Sequence, residues 1–369
     1  MALSNRIDTS VAATRLATWL AARLPDATDV RVSDVTVPAS SGLSTETVLF
    51  RADWTRDGHA HSRGMVARVQ PDAPGVFQHY DLAKEAEVMR ALAAHTEVPA
   101  PEVLFLEEDP AVLGAPFLVM ARVDGRIAPD DPPFTAAGWV LELAPEQRTE
   151  LWDNSVRVLA GIHAADWREL GLDFLDTPEK GSGLAAQLAL WEQTFAWAAD
   201  GEPNPTIESA LAWLRERAPG ESGRVLNWGD ARVGNLIIGD RLDVAAVLDW
   251  EMVTLGSREL DLGWWLFLMR HHTEGIGLPL PDGVPTHERT VARYQELTGH
   301  QVRDIHYWEV FAGTRLAIIM VRAAHMMISA GLLPPDATMA VSNPAVQLIA
   351  GMLELPAHTG QRVSFIGNR

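Results

Sequence analysis

A change of texture near residue 124 constrains this chain more than any other feature. Before Asp124-Gly125, apolar runs of strand length stand between turn residues at 30–37, 48–52, 64–69, 103–107 and 117–123. Two helical patterns interrupt them. One covers 9–24, with Leu16, Trp19, Leu20, Arg23 and Leu24 spaced by threes and fours, and ends at Pro25. The other covers 81–95, with Leu82, Val88, Met89 and Leu92 on one side and Glu85 on another. Beyond the turn, helical periodicity dominates, at 145–166, 184–199, 205–218, 258–270, 287–298, 307–330 and 343–355. Strands grouped first and helices afterwards predict an α+β chain of two parts, a strand-rich 1–122 and a mainly helical 123–369.

Composition narrows the functional classes. A formal net charge of −19 leaves no basic footprint for nucleic acid. The absence of cysteine removes disulfides, thiolate chemistry and cysteine-type zinc sites. The start of the sequence carries no basic segment followed by a long apolar one, so a cytoplasmic location is expected. The most apolar window, 311–335, is broken by Arg315, Arg322 and His325 and reads as a buried helix, not a membrane span. Lys84 and Lys180 are the only lysines, so a cation in any site is expected to be arginine.

Inside the helical part, 224–226, 236–238 and 244–248 are short apolar runs, the last two predicting a hairpin that turns at Gly239-Asp240. Such a sheet brings the loop Trp228-Gly229-Asp230-Ala231-Arg232-Val233-Gly234-Asn235 and the strand end Asp249-Trp250-Glu251 to one cleft. A carboxylate, a carboxamide five residues on and a second carboxylate are the groups phosphoryl transfer requires. One Asp positions a hydroxyl, while an Asn and another Asp hold Mg²⁺ on ATP. Arg232 lies where it would neutralise charge on the transferring phosphate. Earlier, the small-residue loop at 38–47 joins two strands. Its Ser41, Gly42 and Ser44 are candidates to cover phosphates with backbone amides. Arg68 on a strand and Glu85 on the next helix match the cation–carboxylate pair that orders a nucleotide's phosphates. Each feature has a plainer reading beside it, as turn residues, an ordinary hairpin or unrelated surface charges.

Taken together, these motifs resemble the aminoglycoside phosphotransferase family, a branch of the protein-kinase-like fold. The likeness runs from the loop at Ser40 to the helix near Ala323. The family carries His-Gly-Asp-x-x-x-x-Asn followed by Asp-Trp-Glu or Asp-Phe-Glu. This sequence has Trp-Gly-Asp-Ala-Arg-Val-Gly-Asn and Asp-Trp-Glu, so Trp228 departs from the pattern. The resemblance implies a two-lobe fold, with a small antiparallel N-terminal lobe and a larger helical one. It implies Asp230 as catalytic base, Asn235 and Asp249 as magnesium ligands, and Arg68 with Glu85 at the phosphates. It makes 117–125 the strand and hinge, where Met120, Ala121 and Val123 meet the nucleotide. The Asp-Trp-Glu, Leu-Gly-Ser and Asp-Leu-Gly-Trp sequence is closer to the branch fused to acyl-CoA dehydrogenases than to drug-resistance enzymes.

The expected activity is ATP- and Mg²⁺-dependent phosphorylation of a small-molecule hydroxyl. The acceptor is an aminoglycoside-like compound, an amino alcohol, a sugar or a hydroxyacyl compound. No nucleic-acid, membrane or obligate protein partner is expected. Only eleven residues separate Asp249 from Asp261, too few for the activation segment of a protein kinase. Asp261 reads as a brace for the loop or as a helix N-cap. The alternative is a catalytically silent nucleotide-binding regulator, which Trp228 would favour. Of the remaining residues, Trp152, Trp213 and Trp308 read as core, and Trp264 and Trp265 as acceptor-pocket candidates. His163 reads as a satisfied core histidine, His271-His272 as an exposed helix end, and Glu274 and Asp282 as solvated loop charges.

Overall fold

The computed structural model describes residues 7–38, 44–221 and 223–356. By contacts it divides into two compact units. The first is 1–93 with 100–124, and the second is 94–99 with 125–369.

The first unit begins with α1 (Thr9–Ala21), whose N-cap Asp8 accepts the Ser10 N–H. Strands β1 (Thr28–Thr36), β2 (Glu46–Arg56) and β3 (His59–Val69) follow, then α2 (Leu82–His95), β4 (Val103–Glu107) and β5 (Phe117–Ala121). The five strands form one antiparallel sheet in the order β1-β2-β3-β5-β4. Val48, Phe50 and Ala52 of β2 alternate inward, and with Met65, Ala67, Phe117 and Val119 they meet Leu16, Trp19 and Leu20 of α1. The Trp19 indole N–H donates to buried Glu107 (2.6 Å), and Arg23 pairs with the same carboxylate, so α1 is pinned by charge as well as packing. The strands of the β2–β3 hairpin are longer than the apolar runs suggest. Their outer halves carry exposed His59, His61 and Arg51, which no hydrophobic pattern marks.

The second unit opens with the two-residue β6 (Arg126–Ile127), then α3 (Trp139–Glu142), α4 (Pro145–Ala164), α5 (Leu184–Ala199) and α6 (Pro205–Glu216). Strands β7 (Val225–Asn227), β8 (Leu236–Ile238), β9 (Val244–Val247) and β10 (Thr254–Gly256) precede α7 (Glu259–His271), α8 (His287–Thr298), α9 (Ile305–Ser329) and α10 (Pro344–Met352). The strands make two small antiparallel sheets, β10-β7 and β6-β8-β9. The predicted hairpin is present as β8 and β9, with Gly239 N–H bonded to Asp243 O (2.8 Å). Strands β6 and β10 are too short to leave a periodic signal. The centre of the unit is α9, packed by α5, α6, α7 and α10. It is long and apolar enough to cross a membrane, but 61% of its most apolar window is buried inside the protein, as in a core helix.

Candidate active site

The site grows out of the strand pair β7 and β10. Past β7 the chain must turn at Gly229, where φ is +95° and the Met252 carbonyl occupies the place of a Cβ, so no other residue fits. Asp261, in the first turn of α7 and fully buried, braces this turn. Its carboxylate accepts the backbone N–H groups of Trp228 (2.6 Å) and Gly229 (2.8 Å). Its third bond is to His163 Nε2 of α4 (3.1 Å), whose Nδ1 meets the Tyr294 hydroxyl of α8 (2.5 Å). Burial pushes that hydroxyl far above its usual range, so it stays a donor. The network therefore fixes the proton of His163 on Nε2. Both sequence readings hold here: His163 is a satisfied core histidine and Asp261 a brace. Asp261 is not an N-cap, because the helix begins two residues earlier.

Asp230, next in the loop, is mostly buried and held from three sides. The Trp264 indole N–H donates to Oδ1 (2.7 Å), and Asn235 Nδ2 donates to Oδ2 (2.7 Å) and to the backbone oxygen (3.1 Å). Arg232 Nε lies 3.2 and 3.1 Å from the two carboxylate oxygens. Both Asn235 contacts are acceptors, so the amide orientation is settled and its Oδ1 is the oxygen available to a cation.

Arg232 is shared. Its Nη1 donates to Asp130, in the loop after β6. Gly234 leaves the space for this pair, since a Cβ there would run into Arg232 Nη1 and stand 2.9 Å from Asp130 Oδ1. Burial alone would lower the Arg232 pKa, but Asp130 and Asp230 outweigh it and raise it. Burial likewise works to raise the Asp130 carboxyl, but Arg232 outweighs it and holds the group below the usual carboxylate range.

Behind Trp264 lies a second cation, Arg315 of α9, 2% exposed. Its guanidinium stands 4.5 Å from the Trp264 ring centroid and 5.2 Å from that of Trp191, and its Nη2 donates to Gly229 O (3.1 Å). Burial pushes it down to about 10, against the opposing pull of Asp261 and Asp230.

Asp249, at the exit of β9, has φ +61°, a left-handed backbone that a non-glycine residue adopts at a cost. The turn is tied to the Asp230 loop twice. Leu248 N–H donates to Asn235 O (2.8 Å), and the Trp228 indole N–H donates to Leu248 O (2.8 Å) and Asp249 O (3.2 Å).

In the first unit, Arg68 of β3 and Glu85 of α2 are buried and form an ion pair at 3.5 Å, so they are not unrelated surface charges. Met120 is buried in β5 between Val66 and Val103. Ala121 N–H donates to Glu102 O (2.9 Å), and Val123 is half-buried just past the strand. Ser44 is half-buried before β2, while Ser41 and Gly42 lie outside the described residues.

Two expectations need correction. His271-His272 is not an exposed helix end: the residues are 0% and 4% exposed. The chain after α7 folds back into the core, where the His272 carbonyl accepts the Thr135 hydroxyl (2.5 Å) and Phe134 packs edge-on to the His272 ring. Trp213 is half-buried against Tyr307 and His306, unlike the fully buried Trp152 and Trp308. Of the paired tryptophans, Trp264 reaches Asp230, whereas Trp265 is buried and its indole nitrogen finds no partner among the described residues. Glu274 pairs with Arg270 (2.8 Å), and Asp282 is exposed. Asp130 and Arg315 escaped the sequence reading. Nothing marks Asp130 in a Pro- and Asp-rich loop, but Arg315, one of two arginines in an apolar helix, was a usable signal.

Comparison with known proteins identifies the family and the fold. A model of the phosphotransferase enzyme family matches residues 35–306. Acyl-CoA dehydrogenase family member 10 of Mus musculus is 31% identical over 203 residues, 55% of this chain and 18% of that protein. Family member 11 of Gallus gallus is 30% identical over 228 residues, 61% of this chain and 27% of that protein. The chain thus spans between about a fifth and about a quarter of the length of these curated relatives. Among solved structures, a candidate aminoglycoside phosphotransferase of Ralstonia eutropha is 26% identical. That match covers 95% of this chain and 97% of the other, with a TM-score of 0.68. A type I macrolide 2'-phosphotransferase, 17% identical, covers 95% and 99% with a TM-score of 0.56. The fold is the α+β, protein-kinase-like one of these phosphotransferases.

Proposed function

Because this chain belongs to the phosphotransferase enzyme family, we propose that it moves the γ-phosphoryl group of ATP to a hydroxyl of a small molecule, with Asp230 as the base. The acceptor hydroxyl gives its proton to the Asp230 carboxylate. Its oxygen forms the new P–O bond as the bond from γ-phosphorus to the bridging oxygen breaks, and ADP leaves with that electron pair. Asn235 Oδ1 and Asp249 are the groups that would hold Mg²⁺, two hard oxygen ligands of the kind this ion accepts beside phosphates and water. When bound, the ion neutralises phosphate charge. Arg232 keeps a fixed positive charge beside the base. In the first unit, Arg68 with Glu85 and the loop residues Ser41, Gly42 and Ser44 are the proposed phosphate contacts. Met120, Ala121 and Val123 are the proposed adenine contacts, Ala121 through its carbonyl because its N–H is engaged by Glu102.

The observation that carries this reading is the Asp230 carboxylate, positioned by Trp264, Asn235 and Arg232 in a loop hydrogen-bonded to the turn at Asp249. The eleven residues between Asp249 and Asp261 favour a small acceptor over a peptide. Amino alcohols, sugars, aminoglycoside-like and hydroxyacyl compounds form the test panel. Related phosphotransferases crystallised with ADP and hygromycin B, and with GDP and kanamycin, support a nucleotide donor and a hydroxyl acceptor.

The test is transfer from γ-labelled ATP into a metabolite extract and into this panel. Wild type should label an acceptor only with Mg²⁺, and Asp230→Asn should lower the rate by about 10²–10⁴-fold while ATP binding persists. A wild-type protein that binds ATP but labels nothing would restore the silent-regulator alternative. The bonds from Trp228 to the Asp249 turn weaken that alternative, because the residue that motivated it holds the site together.

A further inference from the structure

We infer that Trp228 is a positioning residue that locks the Asp249 turn to the catalytic loop through its indole N–H; this rests on the phosphotransferase reading above. Trp228 is 1% exposed, and its two polar groups point to different partners. Its backbone N–H is held by Asp261 on α7, while its indole N–H is shared between the carbonyls of Leu248 and Asp249. One residue therefore joins the brace beneath Asp230 to the backbone of the second acidic group.

The Asp249 turn gains from such a tie. Its left-handed backbone is one that aspartate adopts more readily than most residues but still at some cost, so a hydrogen bond to its carbonyl helps to hold it. A second indole, Trp250, packs 6.1 Å from Trp228 and donates its own N–H to Val247 O (3.1 Å). The two rings thus engage three successive carbonyls, 247, 248 and 249, and hold the strand end from both sides. Without the Trp228 donor, two half-buried carbonyls lose a bond and the turn is held less firmly. The Asp249 backbone would then be held less firmly against the Asn235 loop.

The consequence is specific. Loss of this donor should weaken the hold on the divalent ion and leave acceptor recognition alone. In Trp228→Phe, the Mg²⁺ concentration for half-maximal nucleotide binding should rise about tenfold, the size expected for one buried hydrogen bond. Amide hydrogen exchange across 247–253 should accelerate by a similar factor, with the acceptor KM unchanged. Trp228→His returns a ring N–H donor and should recover most of both. Replacing Trp228 with benzothienylalanine, which keeps the ring shape without the N–H, should match Trp228→Phe and guards against a variant that fails to fold. A lowered melting temperature with wild-type Mg²⁺ requirement and wild-type exchange at 247–253 would make Trp228 mere packing and overturn the inference. If wild type shows no Mg²⁺-dependent nucleotide binding, the phosphotransferase reading fails. The exchange contrast between tryptophan and benzothienylalanine still decides the lock.

Discussion

Two arginines flank the Asp230–Trp264 contact, and they are buried on opposite terms. Arg232 sits between two carboxylates, Asp130 and Asp230, and its charge is held firmly. Arg315 faces three aromatic rings and one carbonyl, and its Nε and Nη1 find no acceptor among the described residues. A buried charge with good partners is ruinous to break, whereas one with poor partners can be replaced at little loss. On the proposed reading the first arginine takes part in the chemistry of the loop, and the second supports it.

The largest effect of a single substitution should come from Arg232→Met. Removing the cation leaves Asp130 and Asp230 facing each other uncompensated, which should destabilise the fold by about 3 kcal/mol in urea unfolding. Transfer activity should fall together with stability. Arg232→Lys should keep part of the stability and lose the fork that reaches both carboxylates. A stable, active Arg232→Met would erase the distinction between the two arginines.

Next comes pH. The Arg232–Asp130 side also holds His271 and His272, which burial pulls down to about 3 and about 4. Unfolding would release them to the ordinary histidine value of about 6.5, so between these limits the unfolded chain binds more protons than the folded one. Their contribution is whole above pH 6.5 and is lost as the pH falls toward 4, by up to about 2.7 kcal/mol per pH unit with both groups titrating. Urea midpoints measured from pH 7 to pH 5 should show this decline, and His271→Phe with His272→Asn should flatten it.

The smallest effect should be that of Arg315→Met. Its apolar surroundings accept a methionine, and stability should stay within about 1 kcal/mol of wild type, with a gain equally consistent with the geometry. Activity should drop, because Trp264 loses the cation over its face and orients Asp230 less firmly. A loss above 3 kcal/mol would show that Arg315 is as well partnered as Arg232.

The sequence exposes this molecule unevenly, for physical reasons. Helices α5 and α8 and strand β4 end where periodicity and caps end. Asp230, Asn235 and Asp249 stand out only in combination: an Asp and an Asn five apart read equally as turn residues until a second carboxylate follows at the end of an apolar strand. Asp130 and Gly234 stay hidden: one lies about a hundred residues from its partner, and the other matters for the side chain it lacks. The burial of His271 and His272 is invisible as well, since two polar residues at a helix end look solvated until the following loop is seen to fold inward. Trp228 was legible only as a departure, because its meaning lies in which carbonyls its N–H reaches.

The space at Gly234 has a genealogical consequence. Asp130, Arg232 and Gly234 form one unit of inheritance: a side chain at 234 forces the guanidinium and the Asp130 carboxylate to shift, and Asp130 is held charged by that guanidinium. Among descendants of this fold, the three positions should be kept together or abandoned together. A lineage that abandons them has rebuilt the surroundings of the Asp230 carboxylate.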